Sequence, residues 1–141
     1  MNRVSLDQAN RIISGIFQTG SEMKLKPLSA VVLDPGGHVI AFQRQDGASI
    51  MRFQIATGKA CGALGLGVSS RKIGEMAAER PSFVASLGPI MPQGLVPAAG
   101  GVLVVGDGSV IGAVGVTGDT SDNDEACALA GIAAAGLKTQ G

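Results

Sequence analysis

The sequence has almost none of the side chains used for aromatic recognition. It contains no Trp, no Tyr and four Phe among 141 residues. Stacking on nucleic-acid bases and aromatic cages for cations both depend on such rings. Its 11 basic side chains are balanced by 11 acidic ones, so the formal net charge is zero. Nucleic acids and anionic membranes both require a basic surface, and the composition therefore argues against either as the main partner.

Segments that would direct the chain to a membrane or out of the cell are also missing. No run of about 18 apolar residues occurs, and the first residues, MNRVSLDQANRII, hold no apolar signal-peptide core. These absences predict a cytoplasmic protein.

Cysteine is scarce, and Cys61 and Cys127 both lie in apolar, helix-like contexts. Two buried thiols are expected there rather than a disulfide.

The common catalytic and metal-binding motifs are absent. The sequence has no Walker phosphate loop, no G-x-S-x-G, no H-E-x-x-H and no C-x-x-C. Its single histidine, His38, provides too few ligands for a zinc site of ordinary spacing. Asp119, Asp122 and Asp124 do not have the spacing of a calcium loop. No metal site is predicted.

The residues that are present predict one α+β domain spanning residues 1–141. Hydrophobic residues make up 45% of the chain, enough for a single core. Ser5 and Gln8 form a capping-box pattern, and Asp34-Pro35-Gly36-Gly37 is a turn signal in which Gly36 is expected at positive φ. Two hairpins indicate an antiparallel sheet with helices on it. The predicted helices cover about 5–24, 50–65 (capped by Ser49), 70–80 and 122–137. The predicted strands cover 28–33, 38–43, 101–105 and 110–117. Residues 82–101 are predicted to form a loop.

Glycines interrupt several of these predicted elements. Gly58 and Gly62 lie one turn apart in the second helix, and Gly112 and Gly115 thin the last strand. Each glycine in a helix costs up to ~1 kcal/mol against alanine. The pattern indicates a close backbone neighbour, either a sheet or a second subunit.

The stretch GVTGDTSDNDEACA, residues 115–128, concentrates acidic side chains at a predicted helix start. Carboxylates in a first helical turn are favoured by the helix dipole, and Ser121 is the expected cap. The turn Thr117-Gly118-Asp119 precedes that cap. A strand end that meets a helix N-terminus is a common position for a ligand.

Arg44-Gln45-Asp46-Gly47, just after the second strand, is the other polar candidate. Arg44 and Asp46 either pair on the surface or leave Arg44 to bind a ligand carboxylate through two hydrogen bonds. Arg52 and Lys59 in the following helix would add positive charge. His38 either lies on the surface beside the turn or serves as a ligand or base.

Four segments, taken in order, resemble the GlcG/HbpS family, a group often described as haem-binding or haem-degrading-like that includes the C-terminal domain of PduO-type proteins. They are AVVLDPGGHVIAFQRQDGA (30–48), IATGKACGALG (55–65), PAAGGVLVV (97–105) and IGAVGVTG…DNDEACALAG (111–131). The resemblance implies a profilin-like, five-stranded antiparallel sheet with helices packed on it. Its fifth strand would come from Gln93–Ala98. It also implies dimer-based homo-oligomers, commonly octamers, with ligand sites near subunit contacts.

For function, the resemblance implies a small-ligand-binding protein whose ligand is haem or a small organic acid. Haem would need an axial ligand from His38, a methionine or a cysteine. The alternative is a cofactor-independent hydrolase or isomerase of organic or aromatic acid catabolism that acts on a small keto or hydroxy acid by tautomerisation, hydrolysis or hydrolytic dehalogenation. A third class is an accessory protein that only shapes a complex.

The binding and enzyme hypotheses both place Arg44 and the turn 119–125 in one pocket, within one chain or across a subunit boundary. Ligand-binding side chains would be Arg44, Asp46, Arg52, Lys59, Thr117 and His38. In the enzyme, Asp119, Asp124 or Glu125 would act as acid or base, with a pKa raised by neighbouring like charge.

Overall fold

The computed structural model describes residues 2–140, which form three layers with a sheet in the middle. Helices α1 (Leu6–Glu22) and α5 (Ser121–Ala134) cover one face, and α2 (Arg52–Leu66) covers the other. Helix α3 (Ser70–Glu79) packs against α2, and α4 (Pro81–Leu87) with a 3-10 turn (Gly88–Ile90) follows it. Within the described residues, no helix combines the length and apolar character needed to cross a membrane.

The sheet has five antiparallel strands in the order β2-β1-β4-β3-β5. They are β1 (Ser29–Leu33), β2 (Val39–Arg44), β3 (Gly101–Gly106), β4 (Ser109–Thr117) and β5 (Lys138–Thr139). The two predicted hairpins are β1-β2 and β3-β4, and β1 also pairs with β4. The predicted α+β class and the five-stranded antiparallel sheet are confirmed.

The fifth strand is not the one that the resemblance implied. It is β5, Lys138–Thr139, which follows α5 and pairs with Val104 and Val105. Residues 93–98 instead lie along α2, where the Val96 N–H donates to the carbonyl of Gly58 at 3.2 Å. A strand of two residues has no periodicity, so sequence patterns could not reveal it.

The segment around α2 also differs from the prediction. Ser49 does not cap this helix, which begins at Arg52 after Met51, a residue whose side chain makes no capping bond. The Ser49 hydroxyl accepts from Arg52 Nε at 3.1 Å instead. Further along, α4 occupies part of the predicted loop, and Pro81 takes its first position, where a missing N–H costs no helical bond.

The caps of α3 and α5 lie one residue earlier than predicted. The hydroxyls of Ser69 and Thr120 accept the capping bonds, in place of Ser70 and Ser121. Helix α5 ends at Ala134, short of the predicted 137. The capping box of α1, Ser5 with Gln8, is present as predicted.

The β1-β2 turn is closed by Asp34. Its Oδ1 accepts from the N–H groups of Gly36 and His38 at 2.9 and 3.0 Å. The residue at positive φ is Gly37, at +86°, and not Gly36 as expected. The side-chain hydrogen bonds of Asp34 favour this arrangement over the turn that the Pro-Gly pair suggested.

Helix α2 lies directly on the backbone of β3 and β4. A Cβ at Gly115 would overlap the carbonyl oxygen of Ala56, and one at Gly101 would overlap that of Lys59. On the other side of α2, Gly58 faces Val96. The glycines in β3 and β4 therefore allow α2 to lie close to the sheet. Gly58 in α2 allows residues 93–98 to lie close to the helix.

We expect Gly115→Ala to destabilise the protein by about 1–3 kcal/mol, the usual cost of overpacking, because the added methyl meets a backbone carbonyl. Urea unfolding at fixed protein concentration measures this. Gly88→Ala is the matched control, since Gly88 has helical φ and nothing lies within 4 Å of an added Cβ. Equal stability of the two variants would contradict the close approach of α2.

Candidate functional site

One end of the sheet gathers most of the predicted site residues. Arg44, Ser29 and Thr117 pair directly across β2, β1 and β4, so their side chains share one face of the sheet. The guanidinium of Arg52 donates from Nη1 to Thr117 Oγ1 at 2.8 Å. Because Arg52 begins α2, this row lies under the first turn of that helix.

A buried ion pair joins the two helical layers at the same end. Lys59 of α2 donates to Asp124 of α5 at 3.2 Å and to the carbonyl of Val116 at 3.0 Å. The two side chains are 3% and 2% exposed. Burial lowers the pKa of Lys59 and raises the pKa of Asp124, and the partner's charge opposes each shift. Asp124 therefore has a paired, structural environment.

Asp119 closes the turn between β4 and α5. It accepts hydrogen bonds from the Asn123 side chain at 2.8 Å and from the N–H groups of Lys26 and Thr120 at 3.0 and 2.8 Å. The Asn123 bond, followed by the two backbone bonds, lowers the pKa of Asp119 to about 2. A carboxyl group so easily ionised is poorly suited to proton transfer near neutral pH.

Glu125 is held by a cation from α3. Arg71 donates from Nε to Glu125 at 3.0 Å and from Nη2 to Asp122 at 2.5 Å. The Asp122 bond, and then the Glu125 bond, raise the pKa of Arg71. Each of the three carboxylates predicted to be catalytic is thus engaged by another group of the protein.

Arg44 and Asp46 lie exposed where β2 ends. Within residues 2–140, no ion pair joins these two side chains. Both line an open hollow of about 580 Å³ whose other walls include Lys26 and Phe17 of α1, so this hollow lies on the α1 side of the sheet. The acidic residues 119–125 do not line this hollow, although Asp119 accepts from the backbone of Lys26 at its rim.

His38 lies at the opposite end of the sheet. Four residue steps of β1 separate the Ser29 end from the hairpin turn, which is about 13 Å. His38 therefore does not share a site with Arg44 or Arg52. Its ring, 79% exposed, approaches Asp34 with Nδ1 at 3.1 Å from Oδ1. A second hollow, of about 460 Å³, is lined there by Arg3, Asp34 and His38.

Asp34 keeps its negative charge beside this histidine. Partial burial opposes ionisation, but hydrogen bonds from the N–H groups of His38 and Gly36 and from the His38 ring lower the pKa of Asp34. An ionised carboxylate only accepts hydrogen bonds, so His38 Nδ1 carries the hydrogen of this contact, and in a neutral ring Nε2 is the nitrogen with the lone pair. Across the described residues, no three His, Cys, Asp or Glu side chains form a metal-binding group.

Sequence reasoning missed three polar residues. Ser29 and Thr57 carry buried hydroxyls that have no hydrogen-bond partner within the described residues. Ser29 is the one polar residue in the strand SAVVL, a signal that was available in the sequence. Asp34 was assigned to the turn alone, because nothing local indicates that its side chain also holds the His38 ring.

Both cysteines are free and buried, as predicted. Burial is the main cause that raises the pKa of Cys127 to about 11. A thiolate, the form that binds metals, is therefore disfavoured at this position.

Comparison with known proteins assigns the chain to a family. The family model described as haem degrading protein HbpS-like matches residues 4–133. The chain belongs to the HbpS-like family. An uncharacterized 15.0 kDa protein encoded between dhaT and dhaS in Citrobacter freundii is 30% identical over 121 residues, which is 86% of this chain and 84% of that protein.

Solved structures of similar proteins have the same fold. A PduOC–haem complex matches with a TM-score of 0.87 at 19% identity, covering 99% of both chains. The Klebsiella pneumoniae protein ORFY, of the DUF336 family, matches with a TM-score of 0.84 at 26% identity, covering 94% of this HbpS-like chain and 90% of its own. HbpS matches with a TM-score of 0.80 at 24% identity, covering 93% of this chain and 89% of its own.

We expect Lys59→Met or Asp124→Asn to cost about 3–5 kcal/mol of stability, because each leaves one buried polar partner uncompensated. Urea unfolding of both single variants and of the double variant measures this, and the double variant should recover part of the loss. Arg71→Gln is the control, since it removes an exposed pair that solvent screens. Strictly additive costs would contradict direct pairing of Lys59 with Asp124.

We expect Asp119 to stabilise the fold above its ordinary pKa of 3.8 and to lose this effect as the pH falls towards about 2. In that window the unfolded state binds the proton more readily, so stability rises with pH. Unfolding free energies of the wild type and of Asp119→Asn, measured from about pH 5 downwards, should converge. A constant difference between the two proteins would contradict the lowered pKa of Asp119.

Proposed function

We propose that this HbpS-like protein binds haem as a cytoplasmic homo-oligomer, with His38 as an axial ligand. One observation carries the proposal: Asp34 holds His38 at Nδ1, and this leaves Nε2 free beside an open hollow. A carboxylate behind the distal ring nitrogen is the usual support of a metal-ligating histidine, because it fixes the ring and increases its basicity.

The residues around His38 fit haem. Arg3 lines the same hollow and supplies a positive charge for a propionate group. Asp34 is already ionised, so it can stabilise positive charge at the ring when Nε2 binds iron. Bound haem would supply an iron centre whose properties depend on this axial ligand. The buried Cys127, with its raised pKa, is a poor competing ligand.

Self-association would complete the site. His38 is 79% exposed, and a ligand pocket normally buries most of the ligand surface, so one protomer covers too little of a flat ligand. Large apolar side chains also remain exposed, including Ile50 at 82% and Ile90 at 73%. Contiguous exposed apolar surface marks sites that other chains cover, and Ile50 is followed directly by Met51, which is 56% exposed. A second copy of the chain is the partner that we propose.

The alternative, a hydrolase or isomerase of a small keto or hydroxy acid, has weaker support. It needs a free acid or base, but Asp119, Asp124 and Glu125 each bind other groups of the protein. Binding is therefore favoured over catalysis at the end of the sheet where β4 leads into α5.

Haem titration tests the proposal. We expect a Soret shift with the wild type and none with His38→Ala, because the axial nitrogen is removed. Asp34→Asn should weaken haem binding by about 10–100-fold, since it removes the charge that orients the ring. Light scattering on the same samples should give a mass that is a multiple of 14.1 kDa.

Asp122→Asn is the matched control, because it removes an exposed, paired carboxylate at the other end of the sheet. It should leave haem affinity unchanged. A Soret shift that survives His38→Ala would overturn the ligand assignment, and a monomeric mass would overturn the proposed homo-oligomer.

A further inference from the structure

The N-terminus of α2 carries the partial positive charge of the helix dipole, and no acidic side chain of its first turn neutralises that charge. Its cap position, Met51, contributes no side-chain bond, and its first turn contains no acidic residue. Within the described residues, the N–H groups of Phe53 and Gln54 donate to no acceptor. Such free N–H groups, at the positive end of a 15-residue helix dipole, attract an anion.

A buried hydroxyl points to the same place. Ser29 is fully buried, and its Oγ has no hydrogen-bond partner among residues 2–140. Ser29 pairs directly with Thr117, so both side chains lie on the face of the sheet that α2 covers. Since Arg52 reaches Thr117 at 2.8 Å, the Ser29 hydroxyl lies beneath the first turn of the helix. An unpaired buried hydroxyl is costly, which indicates that an acceptor is missing here.

Two arginines lie next to Ser29. Arg52 uses Nε for Ser49 and Nη1 for Thr117, while its Nη2 makes no hydrogen bond within residues 2–140. Arg44 pairs with Ser29 from the other side, one strand spacing away, about 4.8 Å. Lys59 lies near enough to Arg52 that, after burial, the Arg52 charge contributes to lowering the Lys59 pKa.

We propose that Arg44, Ser29, Arg52 and the first N–H groups of α2 form a binding site for the carboxylate of a small organic acid. The forked guanidinium of Arg52 suits a carboxylate, and Ser29 donates the remaining hydrogen bond. Arg44 is exposed at the edge of the sheet, so the rest of the ligand would extend past Arg44 into solvent. This site is separate from the proposed haem site and lies at the opposite end of β1.

The surrounding charges favour a singly charged carboxylate over phosphate. Asp119 carries a full negative charge at the nearby turn, and its pKa of about 2 keeps it ionised. Asp46 is exposed two residues after Arg44. These two carboxylates would repel a dianion more strongly than a monoanion.

Calorimetric titration of the wild type with acetate, lactate and inorganic phosphate, at constant ionic strength, tests the site. We expect one acetate or lactate to bind per chain, and phosphate to bind more weakly. Arg52→Gln and Arg44→Gln should each weaken carboxylate binding by at least about tenfold, as expected when a charged hydrogen bond is lost.

Ser29→Ala is the decisive variant, because it separates binding from folding. Removing an unpaired buried hydroxyl should leave stability unchanged or increased, while carboxylate affinity falls by about three- to tenfold. Arg11→Gln is the matched charge control: Arg11 is exposed and paired with Asp7 on α1, and its loss should not change affinity.

Three results would overturn the proposal: no carboxylate binding at millimolar concentration, an unchanged affinity in Ser29→Ala, or an equal loss in Arg11→Gln. Preferential phosphate binding that depends on Arg52 would overturn the carboxylate assignment. None of these results bears on the Soret shift of His38, so the two proposals fail separately.

Discussion

The close contact between α2 and the backbone of β3 and β4 positions the other polar groups of this protein. It exists because Gly101 and Gly115 carry no side chain where the carbonyls of Lys59 and Ala56 meet the sheet. At this depth Lys59 can reach Asp124 in the opposite helical layer, and Arg52 can reach Thr117. A side chain at either glycine would lift the helix and separate these pairs. The polar end of the sheet is thus a consequence of backbone packing.

The buried Lys59–Asp124 pair costs desolvation free energy, and it joins three elements of the fold. Both charges leave water, and the desolvation of such a pair can exceed the Coulombic gain. Additional bonds compensate: Lys59 also donates to the carbonyl of Val116, and Asp124 also accepts from the N–H of Asp119. Together they tie α2, β4 and α5 at one point. Acidic residues that appeared catalytic in the sequence therefore hold the β4-α5 turn in place.

The side chains that we propose to bind ligands lie at two separate ends of the sheet. At the hairpin end, Asp34 orients His38, and the exposed ring faces solvent in a single protomer. At the other end, Arg44 and Arg52 lie next to Ser29, whose hydroxyl has no partner among residues 2–140 and lies below a helix N-terminus. The length of β1 keeps these ends apart, so one small ligand cannot contact both. The two proposed sites, one for a metal ligand and one for an anion, therefore lie at separate ends of the sheet.

The sequence by itself determined the features that depend on neighbouring residues. The Ser5 capping box, the two hairpins, the buried cysteines and the α+β class all follow from spacing within a few positions, and these predictions are confirmed. Tertiary structure decided the rest. Strand β5 pairs only because α5 returns it to β3, and Lys59 meets Asp124 across 65 positions of sequence. Local periodicity holds no information on such contacts, because they depend on how closely two layers approach.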